Sequence, residues 1–221
     1  MIRVLIVDDE RLLRTCMQQI LESEPDIVVP ATCDGPEALA AVAEHRPDVV
    51  LLDLRMPQTD GLTVLAALRA EAAPPAVAVL TTFSAEEDVA GALSAGASGF
   101  LLKDTAPEEL IHSVRLLAAG GTVLSAPVAR SVVQGYLAQG PAVPDAVART
   151  ESLTGRERQV LALLADGLAN AEIGRRLGVG AATAKDHVSA ILAKLGLANR
   201  VQAAVFAHQA GLAGQVSRPG A

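Results

Sequence analysis

The chain has 221 residues, enough for one large domain or two small ones, with 51% hydrophobic residues and a formal net charge of −7. No apolar run approaches the ~18 residues that cross a bilayer, and the N-terminus "MIRVLIVDDE" turns acidic too early for a secretory leader. The two cysteines, Cys16 and Cys33, form neither a CxxC pair nor a zinc pattern, so a cytoplasmic protein with free thiols and no membrane partner is expected.

The charge is unevenly distributed. Through Ala148 there are 9 Lys and Arg against 20 Asp and Glu, whereas from Arg149 onward there are 9 against 5. An acidic front and a mildly basic rear predict two domains with different partners. The basic excess is too small to establish nucleic-acid binding by itself.

In chain order, short apolar runs alternate with amphipathic ones. Strands are expected at 2–7 (IRVLIV), 26–33, 48–53 (DVVLLD), 76–81 (AVAVLT) and 98–103 (SGFLLK), with helices between them. Capping boxes are expected where Asp34 precedes Glu37, Ser84 precedes Glu87 and Thr105 precedes Glu108. Five such βα units imply an α/β domain over residues 1–120, a doubly wound, five-stranded parallel sheet covered by helices. Residues 121–150 read as a linker with room for one further short helix: "GPAVPDAVARTES" has two prolines and no periodicity. Four helices follow, at 154–166, 170–177, 181–195 and 199–210, making an all-α domain over 151–214. A flexible tail completes the chain at 215–221.

The polar residues that interrupt the apolar strands are the chemical signal. Asp8 and Asp9 end the first strand, Asp53 the third, Thr81 the fourth and Lys103 the fifth. Singly, each has an ordinary explanation: a helix cap, a strand residue, a surface lysine. Together they would converge, because an open α/β sheet binds ligands outside the carboxyl ends of its strands. Three carboxylates in one pocket repel one another and call for a hard cation, and an all-oxygen donor set suits Mg²⁺. Asp53 is then a metal-supported nucleophile able to accept a phosphoryl group, with Lys103 and the Thr81 hydroxyl as donors to the phosphoryl oxygens.

Through "VDDE" (7–10), "LLDLRMPQTDG" (51–61), "LTT" (80–82) and "GASGFLLKD" (96–104), the first 120 residues resemble the receiver domain of two-component response regulators, a flavodoxin-like fold. The resemblance implies transfer from a sensor histidine kinase to Asp53. It further implies Mg²⁺ held by Asp9, Asp53 and the carbonyl of Arg55 with Asp8 close by, and a switch pair of Thr81 and Phe100. Asp104 stands where many members have proline after the lysine.

The rear of the chain opens with a capping box, Thr154 and Glu157. "NAEIGRRLGVGAATAKDHV" has the layout helix, glycine-containing turn, helix. In its second helix Ala184, Val188, Ile191 and Leu195 share one face. Ala182, Lys185, Asp186 and Ser189 lie on the other, with Thr183 and His187 beside them. Spacing alone leaves a DNA reader and a plain helical packing module equally open. Residues 153–212 resemble the C-terminal domain of the LuxR/NarL (FixJ-like) family through "LTGRERQVL", "GLANAEIGRRL", "TAKDHVSAILAKLG" and "NRVQAAV", which implies binding of double-stranded promoter DNA. Gly180 replaces a usual Ser, Ala184 a usual Val, and Asp186 occupies a groove-facing position that is usually neutral or apolar. Lys185 is the expected base or phosphate contact, and Arg175, Arg176, Lys194 and Arg200 are candidate phosphate contacts. So few cations favour a homodimer on paired half-sites. The stripe Val201, Val205, His208 and Leu212 is a candidate for its contact or for packing inside the domain.

The expected function is therefore a DNA-binding response regulator and not an enzyme, with RNA polymerase a further candidate partner. The rivals are a phosphorylation-independent regulator, a protein-binding adaptor, and a Mg²⁺-dependent phosphohydrolase acting through an aspartyl-phosphate.

Overall fold

The computed structural model describes residues 1–71, 73–82, 86–124 and 148–212. The expected cap at Ser84, most of the expected linker with its short helix, and the tail at 215–221 lie outside the described residues. The chain divides into two compact units, the first built on Met1–Ala118 and the second on the C-terminal helices.

The first unit is a parallel sheet of six strands in the order β2-β1-β3-β6-β7-β8. Its strands are β1 (Ile2–Val7), β2 (Ile27–Cys33), β3 (Val49–Asp53), β6 (Ala76–Thr81), β7 (Gly99–Leu102) and β8 (Val123–Leu124). Each follows from its sequence: β3, VVLLD, is buried at every position, as a strand covered on both faces must be. The helices are α1 (Arg11–Glu22), α2 (Ala38–His45), α3 (Gly61–Arg69), α4 (Glu86–Ser94) and α5 (Pro107–Ala118). Contacts join α1 to α5, and α3 to both α2 and α4, so the helices fall into two groups. Val4, Ile6, Leu51, Ala78 and Leu80 pack with Leu21, Leu110 and Val114 into one core.

Two features depart from expectation. The sheet has six strands, because Val123 and Leu124 pair parallel with Gly99 and Phe100; a two-residue strand carries no readable alternation. A small antiparallel pair, β4 (Arg55–Met56) with β5 (Thr59–Asp60), also folds the loop after Asp53. The expected boxes at Asp34 and Thr105 do not form. Asp34 precedes a short 3₁₀ turn, Gly35–Glu37, without a side-chain cap. The Thr105 hydroxyl instead donates to the Leu102 carbonyl at 2.7 Å, and α5 starts at Pro107.

The strand order reverses between β1 and β3: the chain leaves β1 toward β2 on one side and returns to β3 on the other. This is the switch point at which the carboxyl ends open a crevice. Asp8 and Asp53 stand there.

The second unit holds α6 (Gly155–Ala165), α7 (Asn170–Leu177), α8 (Ala181–Leu195) and α9 (Arg200–Gln209). The Thr154–Glu157 box is present: Glu157 N–H donates to Thr154 Oγ1 at 3.2 Å and Thr154 N–H to Glu157 Oε2 at 2.8 Å. Helix α7 ends on Gly178 at φ 68°, a left-handed residue that only glycine adopts without strain, and the chain turns there into α8. Leu161, Leu164, Ile173, Ala184, Val188, Ile191, Leu195 and Phe206 share the core. Among the described residues no single helix is long and apolar enough to cross a membrane.

Candidate functional site

The acidic crevice is assembled by four strand ends. Carboxylate oxygens of Asp8, Asp9 and Asp53 lie within 4.8 Å of one another. Asp8 is fully buried and Asp53 nearly so, whereas Asp9 is exposed. Lys103, just past β7, projects its ammonium between them, 2.9 Å from Asp8 Oδ2, 2.9 Å from Asp53 Oδ2 and 3.4 Å from Glu10 Oε1. The other oxygens are held by the backbone. Asp8 Oδ1 accepts from Glu10 N–H at 2.8 Å, and Asp53 Oδ1 from Arg55 N–H at 3.1 Å.

The electrostatics follow from this crowding. Burial pushes the Asp8 carboxyl up, against hydrogen bonds from Lys103 and the Glu10 N–H that lower it. Burial by itself would lower the Lys103 ammonium, but its bonds to Asp53 and Asp8 outweigh that and hold it well above the ordinary lysine range. Lys103 therefore stays charged, and its ammonium is shared among Asp8, Asp53 and Glu10 while Asp9 stands close by. The negative excess and the all-oxygen donors fit a hard divalent ion. Two Mg–O bonds span at most about 4.2 Å, so small side-chain rotations bring the three carboxylates within reach of one ion.

Gly61 supports the acceptor from behind. A Cβ there would fall 2.4 Å from the Asp53 carbonyl oxygen and 2.5 Å from Leu54 Cα. The strand carrying Asp53 is thus seated directly on the start of α3, where Asp60 caps by accepting from Leu62 N–H at 3.2 Å. Thr81 lines the crevice, with its hydroxyl donating to the Thr82 carbonyl at 3.1 Å. Phe100 is fully buried. Sequence reasoning missed Glu10 and Thr82 as lining residues; each directly follows a residue it had singled out, and adjacency was the available signal.

On the second unit, Ala182, Thr183, Lys185, Asp186 and Ser189 form the exposed row of α8, and Arg175 and Arg176 are exposed at the end of α7; His187 is half-buried. Two candidate phosphate contacts have partners within their own domain. The Arg200 guanidinium turns into the domain, donating to the Leu168 carbonyl and, at 3.3 Å, to Asn170 Oδ1. Burial pushes its pKa down to about 10. The Lys194 ammonium grips both Glu157 oxygens, at 2.9 and 2.8 Å, tying α8 to α6. Two further arginines act as caps that the sequence did not disclose: Arg156 donates to the Leu177 carbonyl and Arg149 to that of Leu195, where it also lies 5.0 Å from the Phe206 ring centre. In α9 the face turned to the core is Ala203, Phe206 and Ala207. The expected stripe is split: Val201 is buried, Leu212 packs against the core, and His208 is exposed.

Comparison with known proteins agrees with this division. Residues 4–115 match the response regulator receiver domain, and residues 151–207 match the bacterial regulatory proteins of the luxR family. The nitrate/nitrite response regulator NarL of Escherichia coli is 39% identical over 207 residues, covering 93% of this chain and 94% of the relative. The transcriptional regulatory protein LiaR of Bacillus subtilis is 37% identical over 211 residues, covering 95% and 98%. Among solved structures, the response regulator ChrA of a heme-sensing two-component system aligns over 96% of this chain and 98% of its own, with TM-score 0.52 and 34% identity. The chain belongs to the two-component response regulators that join a receiver domain to a LuxR-type DNA-binding domain, transcriptional regulators for which phosphorylation and dimerisation are standard.

Proposed function

We propose that Asp53 is the phosphoacceptor, that a sensor histidine kinase is the donor, and that the phosphorylated chain binds promoter DNA as a dimer in the cytoplasm. The carrying observation is the Lys103 ammonium, 2.9 Å from both Asp53 and Asp8 within a cluster of three acids at the strand ends. Asp9, Asp53 and the Arg55 carbonyl, with Asp8 alongside, would hold Mg²⁺, which would supply charge neutralisation for an incoming phosphoryl group. An Asp53 carboxylate oxygen forms the bond to phosphorus as the bond from phosphorus to the donor's imidazole nitrogen breaks, and that nitrogen keeps the electron pair. Lys103 then exchanges a carboxylate oxygen for a phosphoryl oxygen without leaving its place. The Thr81 hydroxyl leaves the Thr82 carbonyl and donates to the phosphoryl group. Phe100 is fully buried and is the partner of Thr81 in this switch, and the Thr81 rotation reshapes the surface around α4, β7 and α5.

On DNA, α8 is the recognition helix. Lys185 contacts guanine or phosphate, and Asp186 accepts from cytosine N4 or excludes other bases. Ala182, Thr183 and Ser189 complete the row, His187 orients a neighbour, and Arg175 and Arg176 grip phosphates. RNA polymerase is engaged from the promoter-bound dimer.

The test treats the full chain with a small acyl phosphate, with and without Mg²⁺, and follows intact mass, oligomeric state and a promoter footprint. Mg²⁺-dependent gain of one phosphoryl group with tighter DNA binding is expected, and Asp53→Asn removes both. If Asp53→Asn leaves every readout unchanged, the reading fails. Sustained turnover of phosphate monoesters would favour a phosphohydrolase instead.

A further inference from the structure

Asp8 has four polar contacts. Its N–H donates to the Cys33 carbonyl at 3.1 Å, its Oδ1 accepts from Glu10 N–H at 2.8 Å, and its Oδ2 faces Lys103 at 2.9 Å. Its main-chain carbonyl accepts from Nη1 of Arg14, a half-buried residue on the first turns of α1. The first bond comes from strand pairing, the second from the local turn, and the third from the site's lysine. Only the fourth depends on a long side chain reaching back from a helix.

That fourth bond acts on Asp9. The carbonyl of Asp8 and the nitrogen of Asp9 belong to one rigid peptide plane, so fixing the carbonyl fixes the direction in which Asp9 leaves the strand. Asp9 needs this support. Among the described residues its carboxylate has no hydrogen bond or ion pair, although one of its oxygens lies within 4.8 Å of those of Asp8 and Asp53. The Arg14 side chain stays inward even though its Nε–H is buried without a partner. Swinging out to solvent would relieve that cost, so packing and the Asp8 carbonyl hold it in place.

We infer that Arg14 is a positioning residue for the acidic crevice: its hold on the Asp8–Asp9 peptide plane aims Asp9 at the Mg²⁺ position. The inference rests on the phosphoacceptor reading above. It makes a prediction opposite in sign to simple electrostatics. As a bare positive charge beside carboxylates, Arg14 would oppose a divalent cation, and its removal would tighten Mg²⁺ binding. As a positioning residue, its removal loosens that binding.

The test measures Mg²⁺ affinity of the full chain by calorimetry, together with the Mg²⁺ dependence of phosphorylation by a small acyl phosphate. In Arg14→Met, Mg²⁺ binding weakens by about tenfold, in the range for outer-shell partners of metal ligands. The half-saturating Mg²⁺ concentration rises in parallel, while the rate at saturating Mg²⁺ stays within about twofold. Arg14→Lys, which keeps the charge and a donor, recovers part of the loss. Unchanged or tighter Mg²⁺ binding in Arg14→Met, no recovery in Arg14→Lys, or a fall in the saturating rate at an unchanged Mg²⁺ dependence would each overturn the inference. Should Arg14→Met fail to fold, Arg14→Ala, which likewise has no donor, takes its place in the same comparison. Wild-type protein that neither binds Mg²⁺ nor gains a phosphoryl group at Asp53 would instead sink the phosphoacceptor reading itself.

Discussion

The two units handle charge in opposite ways. In the receiver crevice, Asp8, Glu10 and Asp53 share the ammonium of Lys103 with Asp9 alongside the two aspartates, and the excess of negative charge is left for something from outside. In the helical unit half of the described cations are satisfied from within. Arg149, Arg156 and Arg200 hold main-chain carbonyls, and Lys194 holds Glu157. A modest basic excess in sequence is therefore a smaller one at the surface. A cluster of unmet charge marks the chemistry, whereas a count of charges does not mark the interface.

The largest effect is expected where that unmet charge is deepest. Lys103→Met strips Asp8 and Asp53 of their shared partner, and breaking a buried ion pair from one side costs about 3–5 kcal/mol. Lys103 keeps a little solvent contact, 13% of its side chain, so the lower end applies. Without Mg²⁺ the receiver unfolds at a lower denaturant concentration, and added Mg²⁺ restores more stability in the variant than in wild type, because the ion then takes over the neutralisation. Equal stability of the two proteins without Mg²⁺ would show that Lys103 does not carry that role.

Arg200 gives the matching perturbation on the other side. Arg200→Ala removes charged donors from the Leu168 carbonyl and Asn170, a loss of about 2 kcal/mol. The salt dependence of DNA binding stays unchanged, since this guanidinium faces inward. A shallower salt slope in Arg200→Ala would return it to the interface.

A pH series sharpens the contrast further. The Lys194 ammonium beside Glu157, together with the Thr154 N–H, holds the Glu157 carboxyl down at about 2, below its ordinary 4.5. Between those values the unfolded chain binds a proton that the folded one does not, so the bonds stabilise the fold above pH 4.5 and lose that contribution as pH falls toward 2. The stability gap between wild type and Glu157→Gln is accordingly widest above this window and closes within it. A gap that is flat across the window would deny Glu157 this role.

Much of this was readable from residue order. The βα alternation, the strand-end acids and Lys103, the Thr154–Glu157 box and the core face of α8 all have strong local signals: burial runs, period 3.6, and cap spacing. What was not readable has a physical reason in each case. Strand β8 has only two residues. Thr105 had two acceptable uses, a cap or a turn, and the Leu102 carbonyl took it. The inward turn of Arg200 and the caps made by Arg149 and Arg156 depend on which carbonyl lies within reach after folding, and no spacing rule encodes that. The close seat of Gly61 carries no sequence signal, because its contact with the backbone of Asp53 and Leu54 exists only in the packed chain.

The smallest effect is also the one that reads the interface directly. With Arg149, Arg156, Lys194 and Arg200 bonded to groups of their own domain, the exposed cations of α7 and α8 without such a bond are Arg175, Arg176 and Lys185. Each phosphate contact contributes about 0.9 to the slope of log affinity against log salt. Arg175→Ala should lower that slope by about one per protomer and weaken binding alike on different promoter sequences, leaving the melting temperature unchanged. Lys185→Ala should in addition change sequence preference if Lys185 meets a base edge. An Arg175→Ala variant with an unaltered slope would place Arg175 off the DNA. The sparse cation set would then have to be supplemented from outside the α7–α8 face, with exposed Arg158 on α6 as the next side chain to test.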